Sequence, residues 1–441
     1  MRPFRPLAAV VIAASLLGAC ESAGALGDKV TGILRPGQPT PVAPPETAKP
    51  AEPAVERAPM DVAPLASTVT PDPASLPART GPPRVALLLP LSGPNAAVGQ
   101  ALLDAATQAV FDVADDDFVL LVRDTAGTPE GAAAALDWAR EQQARLVVGP
   151  LLGLETQAIG AAARAADIPV LSLSNDRSAA GPGVFTLGIA PQDAVARTIA
   201  YARTRGLEKF AALVPNNALG AAAEAAMRTT LGSAGGELVR VERYEPGTLD
   251  FGPAVRRLGK IATAPQRLAR GEAPPPPPEL DFEAVLLPDF GDRLVQLVAE
   301  LHGHEIDPGR IKYLGIPLWD DPRLLRESSL QGAWFAAPPT AGRAAFERRY
   351  REAFGRAPPR VASLAYDAVA LAAIMARGKG PDGADYTLDA LTVPAGFAGV
   401  DGLFRLGTGG TVERGFAVME VRRDGARIVS PAPDAFEETS N

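Results

Sequence analysis

At 441 residues the chain has room for two or three domains of about 100–200 residues each, and its 47% of apolar residues supplies their cores. A formal charge of −8 denies it the basic field that a phosphate backbone needs, so no nucleic-acid partner is expected. One cysteine and two histidines exclude an internal disulfide and a thiolate-held metal, and no cofactor is expected.

Arg2 and Arg5 open the chain, an uncharged run follows over 7–17, and Gly18-Ala19-Cys20 closes it, the three parts of a secretory signal. The run is too short to span a bilayer. Leu17-Gly18-Ala19-Cys20 resembles the bacterial lipobox, which implies removal of residues 1–19 and acylation of Cys20. Two or three acyl chains hold a protein on a membrane essentially permanently, so the expected membrane partner is reached through lipid. Glu21 stands where an aspartate would resemble the inner-membrane retention signal, and the expected location is the periplasmic face of the outer membrane. Residues 20–83 are rich in Pro, Ala, Thr and Glu without an aromatic or a sustained period, which predicts a disordered, semi-rigid leash. At about 3.1 Å per residue in polyproline II its contour approaches roughly 190 Å.

At Arg84 the pattern changes. Val85-Ala86-Leu87-Leu88-Leu89-Pro90 is the continuous apolar run of a strand buried on both faces, and Val98, Leu102, Ala105 and Ala109 then step along one helical face. Strands over 118–122, 146–148 and 170–173 alternate with helices over 129–143 and 154–166, the grammar of a parallel sheet. A second series follows: strands over 210–214, 238–244, 284–287 and 311–315, with helices over 219–231, 250–269 and 290–302. Pro274–Pro278 must be a surface excursion, because no helix or sheet interior tolerates five prolines. Phe346, Tyr350 and Phe354 mark another helix, 361–377 one more with Leu364 and Leu371 inward, and 396–404 and 416–429 read as β structure. The expected class is α/β, two doubly wound parallel-sheet lobes.

A search for chemistry returns little. No lysine precedes Ser or Thr, which removes the phosphate loop, and G-x-S-x-G is absent. Gly378-Lys379-Gly380-Pro381-Asp382-Gly383 spells G-x-G-x-x-G but follows a helix and carries a proline, so it predicts a turn. His302 and His304 are expected to be exposed at a helix end. Asp112, Asp115, Asp116 and Asp117 are expected to be solvated in a turn, with no metal.

Ligands of open parallel sheets sit beyond the carboxyl ends of the strands. The loops there are Leu91-Ser92-Gly93-Pro94, Gly149-Pro150-Leu151-Leu152-Gly153 and Ser174-Asn175-Asp176 in the first series. In the second they are Asn216-Asn217, Pro288-Asp289-Phe290 and Pro317-Leu318-Trp319-Asp320. Ser92, Gly149, Pro150, Ser174, Asn175, Asn217, Asp289 and Trp319 are the candidate cleft residues. Leu87-Leu88-Leu89-Pro90-Leu91-Ser92-Gly93, Asp124-Thr125, Val148-Gly149-Pro150, Ile168-Pro169-Val170-Leu171-Ser172 and Ala365-Tyr366-Asp367-Ala368, in this order over 84–429, resemble the type I periplasmic binding proteins of the branched-chain amino-acid receptor kind. The lipobox, the leash and Leu171-Ser172-Leu173-Ser174-Asn175-Asp176 are most similar to the LpoA-like lipoprotein activators of penicillin-binding proteins within that superfamily.

The resemblance implies a body whose chain crosses between lobes three times: lobe 1 from 84–205 and 340–395, lobe 2 from 206–339 and 396–430, and a disordered tail over 431–441. It also implies a non-catalytic protein that docks on a peptidoglycan synthase and activates it. Amino-acid receptors of this superfamily hold the ligand carboxylate with Ser or Thr where this chain has Leu151, Leu152 and Gly153, and commonly place an aromatic where it has Leu219. A solute receptor for an amino acid or a peptidoglycan fragment, linked to an ABC transporter, is the open alternative.

Overall fold

A computed structural model of the protein describes residues 82–261, 277–377 and 384–436. Cys20, the leash as far as Gly81, the Gly378–Gly383 turn and Pro274 to Pro276 of the proline run lie outside the described residues.

In the first lobe β1 (Arg84–Leu89), β2 (Val119–Asp124), β3 (Leu146–Val148), β4 (Val170–Ser172) and β5 (Val184–Thr186) form an all-parallel sheet in the order β2-β1-β3-β4-β5. The helices α1 (Ala96–Val113), α2 (Pro129–Glu141) and α3 (Gly153–Ala165) make its first crossovers. β1 is sandwiched: Val85, Leu87 and Leu89 share one apolar cluster with α1, while Ala86 and Leu88 share another with α2 and α3. Burying each such Val or Leu contributes about 1.5–3 kcal/mol relative to exposure. α2 starts where it does because Pro129 suits the first turn and Thr128 Oγ1 accepts the Gly131 N–H at 3.0 Å.

The second lobe holds α4 (Pro191–Thr204), β6 (Lys209–Pro215), α5 (Ala218–Ala234), β7 (Glu237–Tyr244), α6 (Gly252–Gly259), β8 (Ala284–Leu286), α7 (Gly291–Gly303), β9 (Lys312–Gly315), α8 (Pro322–Leu325) and β10 (Trp334–Ala337). The chain then returns to the first lobe as α9 (Thr340–Phe354), α10 (Ala362–Met375), α11 (Leu388–Leu391) and a small antiparallel sheet of β11 (Phe397–Gly399), β12 (Gly402–Leu406) and β13 (Val412–Arg414). β14 (Ala417–Arg422) and β15 (Gly425–Ser430) complete the second sheet, ordered β15-β14-β10-β9-β8-β6-β7, with β14 and β15 antiparallel and the rest parallel.

Membership of the two cores locates three crossings. Leu187 packs in the first core and Ala194 in the second, Ala337 in the second and Phe346 in the first, Val412 in the first and Phe416 in the second. Two segments therefore change lobes relative to expectation. α4, expected in lobe 1, buries Val195, Ile199 and Ala202 in the second core. Within 396–430, expected in lobe 2, Val400, Phe404, Leu406 and Val412 fill the first core and only β14 and β15 serve the second sheet. An apolar helix face or strand reports that it is buried, not which of two cores receives it. The tail expected to be disordered also makes contacts in its described part: Arg197 donates to Pro431 O at 3.3 Å, and Arg405 stacks on Phe436 at 4.7 Å.

Other expectations need correction. The helix expected over 250–269 ends at Gly259, where Lys260 turns left-handed at φ 54°. His304 is buried, not exposed: Glu305 at φ 59° reverses the chain after α7 and tucks His304 and Ile306 inward, and His304 Nδ1 lies 3.0 Å from Glu300 O. Asp112 is a tie between helices, accepting from Tyr366 Oη at 3.0 Å and pairing with Arg349 at 3.2 Å.

Gly149 sits at φ 90°, and a Cβ there would lie 2.1 Å from Leu88 O. Gly149→Ala is expected to cost about 2–4 kcal/mol of folding stability, measured by urea unfolding.

Candidate functional site

The carboxyl ends of the parallel strands carry the polar loops of both lobes. In the first lobe Asp124 Oδ1 accepts the backbone N–H groups of Leu91, Ser92 and Ala126 at 2.8, 3.2 and 2.8 Å, fastening the β1 loop to the β2 loop. Partial burial pushes this carboxyl up, but the Ser92 side chain and these three N–H groups outweigh it and hold the pKa below the ordinary value. Gly149 and Pro150 are buried, joined by a cis peptide, and Pro150 O accepts from Leu173 N at 2.9 Å. Ser174 is buried, and its Oγ accepts the Asp176 N–H at 3.0 Å. Ser92 and Asn175 are exposed. Glu155 lies wholly buried beneath this loop cluster and accepts Leu152 N at 2.9 Å; burial raises its pKa despite the nearby Thr125 hydroxyl and the Leu152 N–H.

In the second lobe Asn217 is exposed and caps α5, its Oδ1 accepting Gly220 N at 3.0 Å. Asp289 and Trp319 are brought together and buried: the indole Nε1–H donates to Asp289 O at 2.9 Å. Asp289 Oδ2 accepts from Tyr244 Oη at 2.8 Å and from Arg293 Nε at 3.3 Å, while Oδ1 accepts Phe290 N at 2.9 Å. Burial, then the Asp289 carboxylate, pushes the Tyr244 phenol far above its ordinary pKa, so it stays a donor. Gly315 is needed here, because a Cβ on it would lie 2.2 Å from the Trp319 ring. Trp319 is thus a core residue that orients the loop bearing half-exposed Leu318, at 43%, against the loop bearing Phe290, at 48%.

The profile of the periplasmic binding protein family matches residues 82–426, almost the whole described body. The chain belongs to that family. Its fold is that of an ABC transporter substrate-binding protein from Sphaerobacter thermophilus, at a TM-score of 0.62 and 22% identity over 80% of this chain and 99% of that one. A Rhodospirillum rubrum protein described as a branched-chain amino acid ABC transporter superposes at a TM-score of 0.67 with 19% identity, covering 79% and 100%. A solute-binding protein from R. palustris, solved with benzoate, gives 0.54 and 18%, covering 81% and 100%. Uncharacterized protein RP748 of Rickettsia prowazekii is 26% identical over 178 residues, 40% of this chain and 47% of that protein, so the match spans about half of this curated relative.

Beside the crossings this periplasmic binding protein buries a set of charges, of which only Asp367 stands in a segment that carries the family resemblance, with no role assigned to it there. Arg343, at the start of α9, pairs with Asp401, and Asp401 Oδ2 lies 2.6 Å from Ser363 Oγ. Asp367 of α10 accepts Val400 N at 2.7 Å, and Arg414 of β13 donates to Leu187 O at 2.6 Å in the first crossing. Asp401 is 0% exposed, Asp367 3%, and both arginines 7%. Arg343, Ser363, Asp367 and Asp401 tie α9 and α10 to the turn between β11 and β12, while Arg414 joins the third crossing to the first and acts on both aspartates through its charge. A lone aspartate in the otherwise uncharged Ala362–Met375 was the available signal. Among the described residues no cluster of metal-ligating side chains occurs.

Burial, then the Asp401 carboxylate, pushes Asp367 up to about 7. In the unfolded chain it ionises near about 3.9, so between the two values the folded chain holds a proton that the unfolded chain lacks. The stability this group contributes is full below the lower value and is lost as pH rises through the upper one. Asp367→Asn keeps an acceptor for Val400 N without the titration, and is expected to flatten the fall of unfolding free energy across that window in urea titrations.

Proposed function

We propose that the chain is a periplasmic solute receptor that clasps a small molecule, an amino acid or a peptidoglycan fragment, between the strand-end loops of its lobes and presents it to an ABC transporter. The observation that carries this reading is the two-sheet body with three crossings, shared over nearly the full length of solved substrate-binding proteins. In this reading Ser92, Ser174 and Asn175 line the site from the first lobe on the frame that buried Gly149 and Pro150 set, and Asn217 lines it from the second beside the loops that buried Asp289 and Trp319 hold in place. No catalytic residue is assigned. In a thermal-shift screen of amino acids and muropeptide fragments, a ligand at 100 times its Kd is expected to add about 2.7 kcal/mol and raise the midpoint. A screen without a hit counts against the receptor.

A second reading has its own observation. Asp124, Asp289, Asn217 and Ser174 are hydrogen-bonded to their own lobes, which leaves few groups for a zwitterion and favours a body that works by docking. In this reading the protein activates a peptidoglycan synthase from the end of its leash, by binding the active state of the partner more tightly than the inactive one. Added to purified synthase and lipid substrate, it would then raise glycan polymerisation; no change would remove the reading.

Both readings use the same anchor, an acylated Cys20 at the periplasmic face of the outer membrane. Cys20→Ala is expected to leave thermal unfolding of the body unchanged and to move the protein from the membrane to the soluble fraction on envelope fractionation.

A further inference from the structure

Two side chains outside the crossings join the lobes directly. Arg360, between α9 and α10 of the first lobe, donates from Nη1 to Asp320 O at 2.9 Å and from Nη2 to Asp320 Oδ2 at 3.0 Å, in the loop after β9 of the second lobe. Both ends are pinned. Arg360 O lies 3.0 Å from Ser363 Oγ, the hydroxyl that reaches Asp401 in the buried charge network. Asp320 follows Trp319, whose ring is fully buried and whose Nε1–H holds Asp289 O.

The arginine side chain is 41% exposed but the aspartate only 12%, so the pair is partly desolvated and, being two-pronged, is set in direction as well as distance. A continuous line of polar contacts thus runs from Arg343 and Asp401, through Ser363 and Arg360, to Asp320, Trp319 and the Asp289 loop. Arg177 and Asp193 also pair across the lobes, but Asp193 lies just past the first crossing, at the pivot, where a tie resists rotation least.

We infer that Arg360 and Asp320 form a latch that holds the two lobes at their present separation without any ligand. It deepens the receptor reading by setting the cost of lobe opening, and it rests on that reading only for this consequence. A ligand must then favour one arrangement over the other by more than the latch does, and a latch-free variant exchanges ligand faster.

The test needs no ligand. Spin labels are placed at exposed positions of α2 and α5, Ala134→Cys and Ala225→Cys, in the full chain carrying Cys20→Ser, and the interlobe distance is measured by double electron–electron resonance. Arg360→Ala, which removes both prongs, is expected to raise the population at longer distance by roughly two- to fivefold; Asp320→Asn, which keeps the backbone acceptor, gives a smaller rise, and the double variant gains nothing beyond Arg360→Ala. Far-UV circular dichroism checks that each variant is folded. High salt, which screens a partly exposed pair, is expected to produce the same broadening in the unsubstituted latch. Distance distributions that superimpose in all these conditions overturn the latch. They leave the receptor reading standing, just as an empty ligand screen leaves the latch standing.

Discussion

A parallel sheet cannot leave a face in water, and the architecture follows from that constraint. β1 has no polar residue between Val85 and Leu89, so each face must be covered, and its alternate side chains divide between two apolar clusters. Covering both faces makes most connections between parallel strands helices laid over the sheet in the right-handed sense, which returns those strands in the same direction. β4 reaches β5 through one short turn, and β14 runs against its neighbours β10 and β15. All the strand-end loops then gather along one edge of each sheet. The place where a ligand or partner is met is a by-product of burying the strands.

Those loops are rigid because their polar groups are used locally. Asp124 takes three N–H groups, Ser174 and Asp176 order the β4 loop, Asn217 caps α5, and Asp289 ties Tyr244, Arg293 and Trp319 into one unit. Each bond satisfies a group that would otherwise be stranded where backbone ladders end, at a gain of about 0.5–1.5 kcal/mol when kept and a larger loss when broken. Rigidity of this kind serves selection: a loop that is already ordered loses little entropy on binding. Side chains such as Phe290 and Leu318 are left to face outward from a fixed frame.

Much of this was legible in the residues. The apolar runs at Val85, Phe210 and Ala284 announce buried strands, and 146–148 is a strand to the residue. Asn217, expected at the cleft, acts on its own turn as the cap of α5, whereas Asp289, expected there too, takes Tyr244 and Trp319 from distant parts of the chain. What stayed hidden depends on residues far apart in sequence. α4 and β11 to β13 have ordinary amphipathic patterns, and nothing local tells which core receives them. His304 looks like a solvated helix end until Glu305 turns left-handed. Trp319, a candidate for a ligand, is claimed by Gly315 and Asp289 at distances only the fold can set. Asp367 is a single charge in an apolar helix and Arg414 one of an adjacent pair with Glu413, visible in the sequence but unreadable without Val400, Asp401 and Leu187.

The two electrostatic devices near the crossings differ in strength, and the difference decides what moves. Removing one partner of a buried pair such as Arg343 and Asp401 leaves an uncompensated charge and costs about 3–5 kcal/mol. A partly exposed pair such as Arg360 and Asp320 is held by about 1 kcal/mol or less. Thermal motion therefore breaks the second long before the first, so the outer pair would yield while the buried pair keeps the first lobe intact. A ligand that binds one lobe arrangement tenfold better than the other supplies about 1.4 kcal/mol, enough to override the outer pair and far too little to disturb the inner network. If the outer pair acts as the inferred latch, the motion it governs is a rotation about the crossings, with the strand-end loops as the parts that approach and separate.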